Sequence, residues 1–338
     1  GMVTLVCQAG QTVHLGAAGL ANVESRVPMK ADAIFGVMSM TKPITATALM
    51  ILVDEGKVGL EDRVDKYIPA FAHAKLKSGE PVTGLTVRSL LTHTSGLTGD
   101  QMCVDSLEAT AAALAARPFE FQPGTRWEYG PSLNVIGRII EIASGQAYEA
   151  FVSERILKPL KMTDATFHVS PEQRPRLAAL YSVEEGARGF KPAARWGDAG
   201  EPGCVPNPSG GLFATAAEMA RFYNMILAGG ALDGVRIVSA EAVREMTSVQ
   251  TGELVTGFTP GNGWGLGWCV VREPQGLTAM LSPGTFGHGG AYGTQGWVDP
   301  ERRAVFVLMT QRSNFPNSDG SDVRREFQRL AADALDAE

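Results

Sequence analysis

Phe35-Gly36-Val37-Met38-Ser39-Met40-Thr41-Lys42-Pro43-Ile44-Thr45-Ala46 leads into a run that stays apolar on nearly every face as far as Val53 and stops at Gly56. Such a run reads as a buried helix closed by a glycine C-cap. A proline deep inside a helix costs about 3 kcal/mol, whereas in the first turn the donor it removes has no partner anyway. Pro43 therefore puts Ser39 at the helix start. Ser39 and Lys42 are three residues apart, so on a helix their side chains share a face within hydrogen-bonding reach. A serine hydroxyl is a weak nucleophile that needs an adjacent base, and the unpaired N–H groups of a helix start can stabilise an oxyanion forming on it. Pro43 also disfavours helical backbone at Lys42, a local conflict in this reading. A serine cap followed by a surface lysine is the ordinary alternative. A lysine meant for water, however, does not usually head an otherwise apolar helix.

Outward from this helix, the chain begins with two short strands, Val3 to Cys7 and Thr12 to Leu15, joined by a glycine turn. Residues 57–199 carry mostly helical signals, among them Pro131 to Ala143 ending at Gly145, and Tyr148 to Leu157. A Pro/Gly-rich stretch, 203–211, runs into Thr215-Ala-Ala-Glu218, a capping box that opens another helix. Strand-like runs follow at Leu266 to Val271, Thr294 to Val298 and Ala304 to Thr310, with Pro300-Glu301-Arg302 as the last turn, and then an amphipathic helix from Asp322 to Leu335. The expectation is an α/β domain made from both ends of the chain, residues 1–36 and 200–338, with a mainly helical region, 37–199, inserted between them. A ligand would lie in the cleft between the two.

The 338 residues are 44% hydrophobic and 20% charged, with 30 basic against 36 acidic side chains and a net charge of −6. That balance supports a folded core and lacks the basic footprint of nucleic-acid binding. The longest apolar stretches, such as Ala46 to Val53, fall far short of the ~20 residues that span a bilayer. No charged and then apolar leader opens the sequence, and Gly1 ahead of Met2 reads as a remnant of tag removal. A cytoplasmic location is expected of the chain as given, with the periplasm as the alternative if residues precede it. Cys7, Cys103, Cys204 and Cys269 are scattered, without zinc spacing, so no metal and no organic cofactor is expected. GxxxxGK[ST], HExxH, GxSxG and a correctly spaced GxGxxG are all absent.

The segment around Ser39, together with Leu90-Leu91-Thr92-His93-Thr94-Ser95-Gly96-Leu97 and Pro208-Ser209-Gly210-Gly211-Leu212-Phe213-Ala214-Thr215, resembles the serine β-lactamase-like family. That family includes class C β-lactamases, penicillin-binding DD-peptidases, carboxylesterases and transesterases. The resemblance runs in order over most of the chain. It implies an α+β fold of the β-lactamase/transpeptidase type: a mainly antiparallel sheet flanked by helices, with the helical region inserted.

The resemblance also implies the site. Ser39 is the expected nucleophile and Lys42 its base. Tyr129, in Pro123-Gly124-Thr125-Arg126-Trp127-Glu128-Tyr129-Gly130-Pro131, matches the tyrosine of the family's Tyr-x-Asn motif, while Pro131 replaces the asparagine. Asn134 would substitute for the lost amide only if the loop placed it inward. A phenol of pKa near 10 can shuttle a proton if a cation such as Lys42 stabilises its anion. Gly287-His288-Gly289-Gly290-Ala291 matches the third motif, often Lys-Thr-Gly in β-lactamases. His288, Gly290 and Ala291 are accordingly expected to bind substrate and its oxyanion, with the amides of Ser39 and Ala291 as donors. His93 is read as structural. Family members usually carry a helix before the first strand, and here the chain starts at the strand. The expected function is a carboxylesterase or transesterase acting on small esters. A β-lactamase or DD-peptidase is the alternative within the family, and a non-catalytic ligand-binding member the alternative of another class. The implied partner is a small ester or amide.

Overall fold

Alternation along the strands sets the architecture. Val3, Leu5 and Cys7 pack with Val305, Val307 and Met309 into one hydrophobic cluster, while Val6 packs with Ala304 and Phe306 into another. Successive strand residues face opposite sides, so a sheet apolar on both must be covered on both. The computed structural model describes residues 1–100, 103–183, 189–194, 205–257, 259–315 and 321–337. Its central sheet has seven antiparallel strands: β1 (Met2–Gln8), β2 (Gln11–Ala18), β3 (Asn262–Trp264), β4 (Cys269–Val271), β5 (Phe286–Gly289), β6 (Gln295–Asp299) and β7 (Ala304–Thr310). They lie in the order β3-β4-β5-β6-β7-β1-β2. The two ends of the chain thus meet in one sheet, with β1 paired to β7 from Met2 opposite Thr310 to Gln8 opposite Ala304.

Helices α1 (Thr41–Asp54), α2 (Val87–Leu91), α3 (Leu107–Ala116), α4 (Ser132–Ser144), α5 (Tyr148–Val152), α6 (Ala216–Leu227), α7 (Ala240–Thr247) and α8 (Asp322–Asp336) complete the described secondary structure that positions the site. α6 starts at the Thr215/Glu218 capping box and packs on one face of β1, β6 and β7. α8 covers the other face, where Ala331 joins Val6 and Phe306. α1 is buried from Thr41 through Leu52 and is surrounded by α4, α5 and α7, as its all-round apolar sequence requires. The antiparallel sheet with flanking helices matches the expected fold class. The expected boundary between 199 and 200 lies outside the described residues.

The strand expected to start at Leu266 starts instead at Cys269. Gly265 N–H donates to Trp268 O at 2.8 Å, and Gly267 takes φ +77°, so Leu266-Gly267 makes the turn between β3 and β4. The left-handed conformation at Gly267 is one that glycine adopts without a Cβ penalty.

Candidate active site

Ser39 lies in a single 3₁₀ turn, Met38–Met40, that runs directly into α1. Lys42 is the second residue of α1 and Pro43 the third, so the proline occupies the first turn and Lys42 remains helical despite it. Met38 adopts φ +52°, a costly conformation for a side chain bearing a Cβ. Surrounding bonds hold it. Thr41 Oγ1 donates to Met38 O at 2.7 Å, and Val37 N–H donates to Leu212 O at 2.9 Å. Thr294 Oγ1 donates to Val37 O at 2.9 Å and ties this turn to the start of β6.

Lys42 Nζ donates to Ser39 Oγ at 3.2 Å and to Ser209 O at 2.8 Å. It lies 4.6 Å from the centre of the Tyr129 ring. Ser39 is half-buried, whereas Lys42 has no exposed surface. Burial, which penalises the charged amine, holds its pKa well below the ordinary lysine value. A neutral amine beside a partly accessible hydroxyl is what proton abstraction from serine needs. Ser209 was quoted in the sequence only as part of a motif; its carbonyl, held by a bond from Ser209 N–H to Asn134 Oδ1 at 3.1 Å, is the lysine's anchor. Asn134 is thus turned inward from α4, engaged with Ser209 rather than lining the cleft.

His288 is buried at 4% exposure, on β5, with its ring centre 5.9 Å from that of Tyr129 and 5.5 Å from that of Trp264. Nδ1 lies 2.6 Å from Gly289 O. A carbonyl only accepts, so Nδ1 carries the proton and Nε2 is the bare nitrogen. Burial, the largest cause, pushes the His288 pKa down to about 3. Unlike the lysine of the β-lactamase motif, His288 is neutral at pH 7.

Gly290 lines the cleft beside His288. Its N–H donates to Thr294 O at 2.7 Å and is spent on the turn, so it cannot also receive an oxyanion. What the site needs at this position is the missing side chain: a Cβ would come within 2.0 Å of Thr294 Oγ1 and 2.5 Å of Val37 O. Ala291 takes no part in the two bonds that close the turn, Gly290 N–H to Thr294 O and Gly293 N–H to Gly290 O. One group escaped the sequence reading, and another was read there only as structural. Arg324, buried on α8, donates from one nitrogen to Gly290 O (2.9 Å) and Thr294 O (3.0 Å). His93 packs its ring 4.5 Å from that of Tyr129. The spacing within α8 carries no hint of the first, because its partner lies 34 residues earlier in the chain; the second was visible as a motif but not as a neighbour of Tyr129.

These parts line one cleft of about 370 Å³, with Ser39, Tyr129 and His288 at its polar end and Trp264, Leu277 and Trp297 making its apolar wall. Such a cleft suits a small, partly apolar molecule. Among the described residues no group of three His, Cys, Asp or Glu side chains is placed to hold a metal, and no helix is long and apolar enough to cross a membrane.

A family model described as Beta-lactamase matches residues 1–331. Esterase EstB of Burkholderia gladioli is 30% identical over 345 residues, covering 92% of this chain and 85% of the esterase. A putative D-alanyl-D-alanine carboxypeptidase of Escherichia coli K12 is 27% identical over 93% of this chain and 79% of its own length. Among solved structures, that of EstCE1, described as a hydrolase with promiscuous acyltransferase activity, superposes with a TM-score of 0.82 at 22% identity, covering 99% of this chain and 93% of that one. At that identity the superposition shows the fold.

Proposed function

Because the chain belongs to the Beta-lactamase family of serine hydrolases, we propose that it hydrolyses small carboxylic esters through an acyl-enzyme on Ser39. The observation that carries this reading is the fully buried Lys42 amine 3.2 Å from the half-buried Ser39 hydroxyl. Ser39 Oγ attacks the ester carbonyl carbon while its proton passes to Lys42 Nζ. The oxyanion is received by the Ser39 and Ala291 amides, and collapse breaks the C–O bond to the alcohol. The departing alkoxide takes a proton through Tyr129, which lies against Lys42. Water then attacks the acyl carbon, with Tyr129 and Lys42 taking its proton, and Ser39 is released.

Pro131 supports esters over β-lactams. A proline ring offers neither donor nor acceptor to a substrate amide, and Asn134 is engaged with Ser209 outside the cleft lining. An amide left poorly paired in a desolvated cleft costs about 1 to 3 kcal/mol, or roughly ten- to a hundredfold in rate. Small esters lack that amide. The esterase among the relatives agrees with this choice. One observation favours a second reading, a peptidase or β-lactamase: the Arg324 guanidinium lines the cleft and offers a positive charge to a substrate carboxylate.

Intact-mass measurement after brief exposure to a short-chain nitrophenyl ester should show an acyl increment on Ser39, absent in Ser39→Ala. Comparison of kcat/KM for that ester and a chromogenic cephalosporin on one preparation then separates the readings. Cephalosporin turnover equal to or above the ester's would reverse the assignment.

A further inference from the structure

We propose that His93 is a positioning residue for Tyr129, fixing the phenol against Lys42 through both its ring and its main chain. His93 follows the end of α2, is wholly buried, and adopts φ +57°. A residue with a Cβ seldom takes that conformation unless its surroundings impose it. Here Thr94 N–H donates to Ser89 O at 3.0 Å and Gly124 N–H to Thr94 O at 2.8 Å, so the turn is held from both sides.

The result is a three-point grip on consecutive residues. Glu128 N–H donates to His93 O at 2.9 Å. Gly130 N–H donates to His93 Nδ1 at 3.4 Å. Between them, the Tyr129 ring lies 4.5 Å from the His93 ring, tilted by 40°. The rings of Trp264 and Trp127 stand edge-on to His93 at 5.4 and 6.2 Å and close off its remaining freedom. Gly130 lets the segment after Tyr129 pack against the main chain that follows His93, since a Cβ there would meet Leu97 O at 2.4 Å. A histidine used only as filler needs no ring acceptor. This one takes a backbone N–H beside the residue on which proton transfer depends.

The proposal rests on Tyr129 acting in the acyl-enzyme chemistry, and the chemistry of the histidine supplies its test. Asparagine places its Oδ1 where histidine has Nδ1 and tolerates positive φ. Phenylalanine keeps a ring but accepts nothing. Misplacing a catalytic group by about 1 Å costs on the order of a hundredfold, so His93→Ala and His93→Phe should each lose about a hundredfold in kcat on a nitrophenyl ester with KM within about threefold. His93→Asn should recover about tenfold or more of that loss. In crystal structures of the variants, the Tyr129 hydroxyl should be displaced from Lys42 with Ala or Phe and in place with Asn. An unmoved Tyr129 in His93→Ala, full activity in His93→Phe, or His93→Asn no better than His93→Ala would overturn the proposal. Failure of the acyl-enzyme reading would look different: Ser39→Ala would keep wild-type turnover, and the crystallographic comparison would still decide whether His93 holds Tyr129.

Discussion

Lys42 is wholly buried, and its amine donates to Ser39 Oγ and Ser209 O. Such a lysine is poised to lose charge, and arginine at the same place would not be, because a guanidinium does not release its proton. Lys42→Arg should therefore be nearly as damaging as Lys42→Ala in kcat/KM. Activity of Lys42→Arg within about tenfold of wild type would make the lysine an electrostatic anchor and require another base. Ser39→Ala should lower ester turnover by about 10⁴-fold or more while the protein remains folded, as loss of the nucleophile does in other serine enzymes. The pH profile follows from the direction of the Lys42 shift. In the proposed mechanism the neutral amine is the active form, and burial lowers its pKa. The rise of kcat/KM with pH should thus level off well below 10.5; a rise still continuing at pH 10 would show an ordinary lysine. Ser39 and Lys42 could be paired from the sequence because three residues on one helix fix their separation. Tyr129, nearly ninety positions further on, could be placed only by resemblance, since no local rule ties its ring to Lys42.

The turn after β5 depends on a residue with no side chain. Gly290 sits where a methyl group would strike Thr294 Oγ1 and Val37 O, and Val37 immediately precedes the turn that carries Ser39. Gly290→Ala should push β5 and the nucleophile turn apart, costing about 1 to 3 kcal/mol of stability through overpacking and reducing turnover more than tenfold. Thermal unfolding and kcat measured together check this, and a variant with unchanged Tm and unchanged kcat would refute it. Legibility differed between elements for a physical reason. α1 and α6 were plain in the sequence because an apolar face, a capping box and a glycine stop are all local. The run from Leu266 was not, because hydrophobicity alone does not reveal that Gly267 turns the chain before β4 begins. Gly290 could be recognised as part of the site, but its amide's true partner, Thr294 O, is visible only once the turn is built.

Over the whole molecule, burying uncharged basic groups makes stability sensitive to acid. His288 has its pKa lowered to about 3 and His93 has its own held well below the usual histidine value, in both cases mainly by burial. In the unfolded chain both titrate near 6.5. Between that value and the folded one the unfolded state binds more protons, so stability falls as pH drops below about 6.5 and stops falling from His288 only near pH 3. Tm should decline between pH 6.5 and 4.5, and a His288→Gln variant should show a shallower decline; parallel curves would exclude His288 as a source. The sequence by itself determined that Ser39 and Lys42 stand together at a helix start, that the fold is antiparallel with both chain ends in one sheet, and that acidic residues outnumber basic ones. These rest on local periodicity, on spacing within one helix, on composition and on motifs that recur in order. Tertiary structure alone decided that Ser209 anchors Lys42, that Arg324 braces the turn containing Ala291, and that His93 lies against Tyr129. Each of those contacts joins residues at least thirty positions apart, and such pairs are set by how helices and sheet pack, which no spacing along the chain encodes.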